Sequence, residues 1–455
     1  MHRTTIRPAL RLAATAAAGA LLLAACGGGG GGDTGGGAPA EEVSQEEKDE
    51  AMSTPTELVF WTWVPDVQNQ VDMFMEEYPE IDVEVVNVGQ GADHYQKMRS
   101  AIDAGTGAPD VTQVEYQYIP SFRVSEDLLD LAPYGATELE GDYPEWVWSQ
   151  VSDDGAVYGI PQDVGPMGNL YREDLLTAVG IEEAPATWEE FQAAARTYRE
   201  ANPDSYLTNL PSNQAGQFMG FLWQAGARPF SYDGAEAVGV DFSGPEVEMV
   251  AEYWTTMLTE DLVSTDPDFT DQWYQGLASG KYASWQTAAW GPVFLQGTAG
   301  NTSGQWRAAP LPQWEEGEEV SGNWGGSTDA VLATSENPIA AAELAMWINT
   351  AEEPALAFAT EQFLFPPYTP VLEDPAFTDQ EAEFYGGQQV NQLFAEVSET
   401  VSTDFEWVPF MDFAYSSYTE TVGAAIADRS DLMAGITAWE EEMTTYAEDQ
   451  GFTVE

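Results

Sequence analysis

Cysteine is almost missing from this chain: Cys26 is the only one in 455 residues. A lone thiol forms no intramolecular disulfide and no cysteine–zinc cluster. Histidine is nearly as scarce, with only His2 and His94. Removal of the N-terminal segment, argued below, would leave His94 alone. That excludes a two-histidine metal site and nearly all histidine-based catalysis. His94 opens a helix expected over Asp93 to Ala104, and a surface position is expected for it. Positive charge is the third shortage. The chain has 14 Lys+Arg against 77 Asp+Glu, a formal net charge of −63, and its lysines are Lys48, Lys97 and Lys281. Such a field disfavours nucleic acids, anionic lipid surfaces and strongly anionic ligands. Beyond the N-terminal segment, no stretch is apolar for the ~20 residues that span a bilayer.

Aromatic residues are plentiful: 16 Trp, 19 Tyr and 20 Phe. A disordered acidic chain would lack them, so this is a folded protein with an acidic surface. Scarce lysine beside abundant Asp and Glu is the pattern of halophile proteins. Self-repulsion across such a surface weakens with salt, because the Debye length falls from about 10 Å at 0.1 M to about 3 Å at 1 M.

The N-terminus carries Arg3, Arg7 and Arg11 and no acid, then a mostly apolar stretch from Leu12 to Ala25. A basic start, a short apolar middle and small residues before a cut site make a secretory signal. Leu23-Ala24-Ala25-Cys26 resembles the bacterial lipoprotein lipobox, which implies cleavage before Cys26 and a lipid on its sulfur. Gly27 to Gly32 is unbroken glycine, and a charge-rich stretch follows from Glu41 to Glu50. Such chain buries too little apolar surface to fold. Residues 1–25 are therefore expected to be a signal peptide and 26–55 a lipidated flexible tether. The mature protein is expected on the extracellular face of the membrane, anchored through Cys26.

The remainder, roughly 400 residues, exceeds one ordinary core, so two lobes are expected. The first part alternates strand and helix. Leu58-Val59-Phe60-Trp61 is a compact apolar run. Val67, Val71, Phe74 and Tyr78 fall at helical spacing before Pro79. Ile81, Val83 and Val85 alternate with acids, and Tyr95, Met98 and Ile102 line a second helix. Asp110 to Val114 is a third strand. This order gives parallel strands with right-handed crossovers. Ligands bind such sheets beyond the carboxyl ends of the strands. Those ends carry Trp61, Thr62 and Trp63, then Glu115, Tyr116, Gln117 and Tyr118. Ring faces cover the apolar C–H surface of a sugar, and amides and carboxylates satisfy its hydroxyls. Trp61 continues the apolar run and is expected in the core; Trp63 and Tyr116 suit either place.

Further on, Thr187-Trp188-Glu189-Glu190 is a capping box opening a helix. Glu246 to Leu258 reads as another, and Asn337-Pro338 starts one through Trp347. Helical sequence runs from about Asp412 to Asp449. The acidic group Asp266, Asp268 and Asp271 lacks the glycine and terminal glutamate of an EF-hand loop, so calcium is rejected. Gly89-x-Gly91 and Gly105-x-Gly107 are turns rather than nucleotide fingerprints.

Several segments together carry a resemblance. They are Gly155-Ala156-Val157-Tyr158-Gly159-Ile160-Pro161; Leu170-Tyr171-Arg172-Glu173-Asp174-Leu175-Leu176 with Gly180-Ile181; and Pro185-Ala186-Thr187-Trp188-Glu189-Glu190-Phe191. Phe269 to Trp290, containing Gly280-Lys281-Tyr282-Ala283, and Gly322-Asn323-Trp324-Gly325-Gly326-Ser327 continue it. In this order they resemble the extracellular solute-binding proteins of ABC importers, in the carbohydrate-binding group related to maltose-binding protein. Ser284-Trp285 departs from that pattern, which usually has methionine there.

The resemblance implies a two-lobe, periplasmic-binding-protein-like α/β fold with a hinge and an interlobe ligand cleft. Lobe one would be 56–161 plus 320–365, lobe two 162–310 plus 370–455, and the hinge crossings 311–319 and 366–369. The implied function is capture of a sugar or oligosaccharide and its delivery to the importer's permease subunits by a monomer with no cofactor, no metal and no catalysis. The sheet ends nominate Trp63, Glu115, Tyr116 and Tyr118. The family's segments add Asp163, Trp290, Trp324 and Gly325. Stacking is expected of Trp63, Trp290 and Trp324, and hydroxyl recognition of Glu115 and Asp163. Trp223 and Trp407 are weaker candidates, because their neighbours suggest core. The alternatives are a cationic ligand, a surface glycoside hydrolase and a passive adhesin.

Overall fold

The acidic, glycine-punctuated chain builds its first sheet from the runs that alternate strand and helix. A computed structural model describes residues 42–362 and 364–455. The signal segment and Cys26 lie outside the described residues. Strand β1 (Thr56–Trp61) pairs in parallel with β2 (Ile81–Val86) on one side and β3 (Val111–Glu115) on the other. The helices Gln68–Glu77 and Ala92–Ala104 make the crossovers, the second ending at Gly105 in a left-handed cap. A short hairpin, β4 (Ser152–Asp153) and β5 (Ala156–Val157), leads into β6 (Ile160–Arg172).

The strand β6 joins the two lobes. Its first half pairs with β11 (Asn323–Val331), which also pairs with β3 and so completes the lobe-one sheet. Its second half pairs with β9 (Ser284–Ala288) and β10 (Trp306–Pro310) in lobe two. A separate small sheet holds β7 (Phe230–Tyr232), β8 (Ala237–Val240) and β12 (Thr453–Val454). Lobe two is packed around buried tryptophans. Trp188 sits among Phe221, Trp254 and Trp314 at centroid distances of 5.5–5.6 Å, and Thr187 and Glu190 form the expected capping box. No helix among the described residues is long and apolar enough to cross a membrane.

Three expectations need correction. The tether expected over 26–55 does not hold as far as residue 55, because Gln45–Met52 is a helix. Ser44 and Glu47 cap it reciprocally, an arrangement that a count of charges overlooks. Residues 311–319 are not a crossing. Trp314 lies 5.5 Å from the rings of Trp188 and Tyr253, and Gln313 bridges Thr187, so this segment belongs to lobe two. The return to lobe one runs instead through the start of β11, where the register shifts between Asn323 and Gly326. The helical sequence expected from about Asp412 to Asp449 is borne out, as three helices, Met411–Tyr418, Val422–Ala427 and Leu432–Gln450. Finally, His94 is fully buried rather than at the surface. Its ring stands edge-on to Trp63 at 4.9 Å, and its Nε2 lies 3.2 Å from Thr112 Oγ1. Burial pushes its pKa down to about 4. Trp61, Trp223 and Trp407 are buried as expected, with Trp223 stacked on Phe405 at 4.3 Å.

Candidate functional site

Two groups of side chains meet where β6 and β11 cross between the lobes. The first is polar and stands at the carboxyl end of β3. Ser327 of β11 is in register with Glu115 of β3 on one side and Asp163 of β6 on the other. The two carboxylates therefore flank Ser327 in one cross-strand row. Glu115 accepts hydrogen bonds from the Tyr95 hydroxyl at 3.1 Å and Gln117 Nε2 at 3.2 Å. Asp163 accepts from the Ser327 hydroxyl.

A buried relay orients this row. Gln113 Nε2 donates to Ser327 Oγ at 2.8 Å, while Gln113 Oε1 accepts from Thr62 Oγ1 at 2.8 Å and the Trp63 amide at 3.1 Å. The buried Gln113 amide is thus satisfied, and the end of β1 is fixed to β3. Burial pushes the pKa of Glu115 up to about 7 and that of Asp163 up to about 6, against the hydrogen bonds that favour the ionised forms. The negative charge of Asp163 raises Glu115 further. Carboxylates held this way are charge-strained acceptors that gain from new hydroxyl donors.

The second group is aromatic. Trp290 follows β9, and Trp324 lies at the start of β11. Their rings meet edge to face at 4.9 Å, and Trp290 Nε1 donates to the Trp324 carbonyl. Trp324 is 7% exposed, whereas Trp290 is half-buried. Gly325 has φ +80°, and a Cβ there would stand 3.4 Å from Trp290 Nε1. At Gly326, φ +101°, a Cβ would stand 2.7 Å from the Tyr116 ring and 2.8 Å from the Asp163 carbonyl. The Trp324–Ser327 segment therefore passes tightly between the aromatic and polar groups, which is why it needs two glycines in left-handed backbone.

Of the nominated residues, Glu115, Tyr116, Asp163 and Gly325 surround this crossing with Trp290 and Trp324. Tyr116 is buried, and its hydroxyl donates to the Asp163 carbonyl at 3.1 Å, so it braces the crossing. Tyr118 is 7% exposed, with its ring 4.2 Å from Tyr95. Trp63 is half-buried against His94, at the end of the relay. Sequence reasoning missed Tyr95, Ser327 and Tyr415. Tyr95 has the spacing of a core helix residue, and Ser327 stood unremarked at the end of a quoted motif. Tyr415 carries no sequence signal. Burial and the charge of Glu115 hold its phenol protonated, and its hydroxyl approaches Gly216 beside Trp324. Across the cleft, Arg99 Nη1 of lobe one meets Asp412 Oδ2 of lobe two at 2.6 Å.

Among the described residues no group of acids or histidines is arranged to hold a metal. Of the rejected calcium group, Asp266 is paired with Lys281 and Tyr282, and Asp268 accepts from Asn209 Nδ2 at 2.6 Å.

Comparison with known proteins identifies relatives over most of the chain. The family described as bacterial extracellular solute-binding protein matches residues 55–353. An arabinooligosaccharide-binding protein of Halalkalibacterium halodurans is 22% identical over 76% of this chain and 80% of its own. An ABC transporter associated binding protein of B. animalis subsp. lactis Bl-04, solved with β-1,6-galactobiose, is 29% identical with a TM-score of 0.76, covering 88% of this chain and 99% of that one. The galacto-N-biose-/lacto-N-biose I-binding protein of an ABC transporter from Bifidobacterium longum, solved with lacto-N-biose, is 25% identical with a TM-score of 0.78, covering 88% and 98%.

Proposed function

The chain belongs to the bacterial extracellular solute-binding proteins, and from that premise we propose that it captures a neutral oligosaccharide in its interlobe cleft and delivers it to an ABC importer. One observation carries this reading. The half-buried ring of Trp290 lies beside a row of two carboxylates, with Trp324–Ser327 linking the two. Aromatic faces match the C–H surface of a sugar ring, and carboxylates accept from vicinal hydroxyls. An anionic ligand would meet buried negative charge and is disfavoured. The sugars bound by the relatives from Bifidobacterium and H. halodurans support the class.

The protein works as a monomer held to the outer face of the membrane through a lipid on Cys26, and it carries out no chemistry on its ligand. Its acidic surface suits concentrated salt.

Thermal shift in molar potassium chloride tests the ligand class. The panel is β-1,6-galactobiose, lacto-N-biose, lactose and arabino-oligosaccharides, with spermidine as the cationic comparison. Stabilisation by at least one sugar and not by spermidine is expected. The reverse pattern overturns the sugar reading, and release of reducing ends during incubation overturns the non-catalytic one.

A further inference from the structure

Exposed apolar side chains are few in this acidic protein, and they are not scattered. Among the described residues Val124, Met249, Phe269, Val293 and Phe294 are the large exposed ones. Three of the five belong to the two segments that flank Trp290. Phe294, 49% exposed, lies in the helix Gly291–Thr298, and its ring meets Trp290 edge-on at 5.7 Å. Phe269, 36% exposed, stands 6.2 Å from both Trp290 and Trp324. Val293 adjoins Phe294 in the chain. Isolated exposed hydrophobics need no explanation, but a patch continuous with a binding site does.

The backbone of Phe269 adds an independent observation. Its φ is +59°. The other described non-glycine residues with positive φ are Asp66, Glu126, Asp154, Asp261 and Arg429, all polar. A short polar side chain eases that conformation by local hydrogen bonding, and a phenylalanine has no such compensation. Strain of this kind persists where the surrounding structure holds a side chain for a task. Here it holds an aromatic ring open to solvent, against the two tryptophans of the cleft.

We propose that Phe269 and Phe294 form an outer platform for a further sugar ring, so that the protein favours trisaccharides and longer oligosaccharides over disaccharides. This rests on the sugar reading of the cleft and extends it. The occupant is a neutral pyranose or furanose ring: its apolar face matches an uncharged aromatic patch set in an otherwise acidic surface, and the ligand chain reaches the platform directly from Trp290.

The test is calorimetric titration of the full chain in molar potassium chloride with two ladders, β-1,6-galacto-oligosaccharides and arabino-oligosaccharides of two, three and four units. In at least one ladder the wild type should bind the trimer about three- to tenfold more tightly than the dimer, the range expected of one aromatic contact. Phe294→Ala removes a surface ring. Phe269→Gly removes the other ring and leaves a residue that accepts the left-handed backbone. Each should reduce the trimer-to-dimer ratio to about twofold or less. Equal affinity for all lengths, or a ratio that survives in both variants, overturns the platform and leaves the cleft reading standing. Binding of neither ladder overturns the platform, and the cleft reading falls only if the whole sugar panel also fails to bind.

Discussion

Trp290 donates its indole N–H to the main-chain oxygen of Trp324 at 2.9 Å. That bond ties the end of β9 to the start of β11 at the interlobe crossing. It also uses the polar edge of Trp290, whose half-buried ring stands among Trp324, Phe294 and Phe269. Trp324 is nearly enclosed, so the two rings differ in what they contribute. Trp290→Ala should weaken sugar binding about ten- to a hundredfold and lower the melting temperature little. Trp324→Ala should lower the melting temperature of the empty protein by several degrees, as expected of a buried tryptophan. Calorimetry and thermal melts of both variants check this; equal stability losses with normal binding would make both rings packing alone.

Raised carboxylates make binding pH-dependent. Glu115 and Asp163 accept most strongly from sugar hydroxyls when ionised, and burial pushes their pKa values up to about 7 and about 6. Affinity should therefore rise between pH 5 and pH 8, by about tenfold if one acceptor is at stake. Glu115→Gln should flatten the upper part of the profile, and an unchanged profile would exclude Glu115 from the contact. Stability moves the other way. A carboxyl with a raised folded-state pKa stabilises fully below its unfolded value, and that contribution is lost as pH rises through the folded value. Asp329, also pushed up to about 7 by burial, adds to the same loss between about pH 4 and 7. His94 opposes it: pushed down to about 4, its contribution is present above about 6.5 and lost as pH falls toward 4.

The parallel order of β1, β2 and β3 was legible because alternation and helical spacing are local signals. Trp63, Glu115 and Tyr116 were nominated because strand ends are where such sheets bind, and the structure brings Glu115 and Tyr116 to the β6–β11 crossing. Ser327 between Glu115 and Asp163 was not legible, because register between β3, β11 and β6 joins residues more than 150 positions apart. His94 was misplaced for a related reason. Composition makes a lone histidine look incidental, whereas its burial depends on Trp61 and Trp63 arriving from the end of β1. The helix Gln45–Met52 was hidden by charge density, although Ser44-x-x-Glu47 is a capping signature.

Arg99, on the helix Ala92–Ala104, and Asp412, on the helix Met411–Tyr418, form an ion pair at 2.6 Å. Ser121 accepts from Arg99 Nη2 at 3.1 Å, and the guanidinium lies 4.9 Å from the Phe122 ring centroid, so lobe one holds the cation in place. Both partners are more than a third exposed, and such pairs contribute about 0–1 kcal/mol. Asp412→Asn should raise the ligand dissociation rate about two- to fivefold and leave the melting temperature nearly unchanged. Stopped-flow displacement checks this; an unaltered rate would show that the pair does not hold the lobes shut.

A net charge of −63 predicts salt-dependent stability. The melting temperature should rise from dilute buffer to molar potassium chloride as repulsion is screened. A fall or no change would contradict adaptation to high salt.

The central claim is that the aromatic and carboxylate groups at the β6–β11 crossing bind one sugar together. Titration calorimetry of the wild type, Trp290→Ala and Glu115→Gln with the best-stabilising sugar tests it most directly. The account predicts saturable one-to-one binding by the wild type and a loss of at least about tenfold in each variant. Wild-type affinity in both variants, or no sugar bound by the wild type at all, would contradict it.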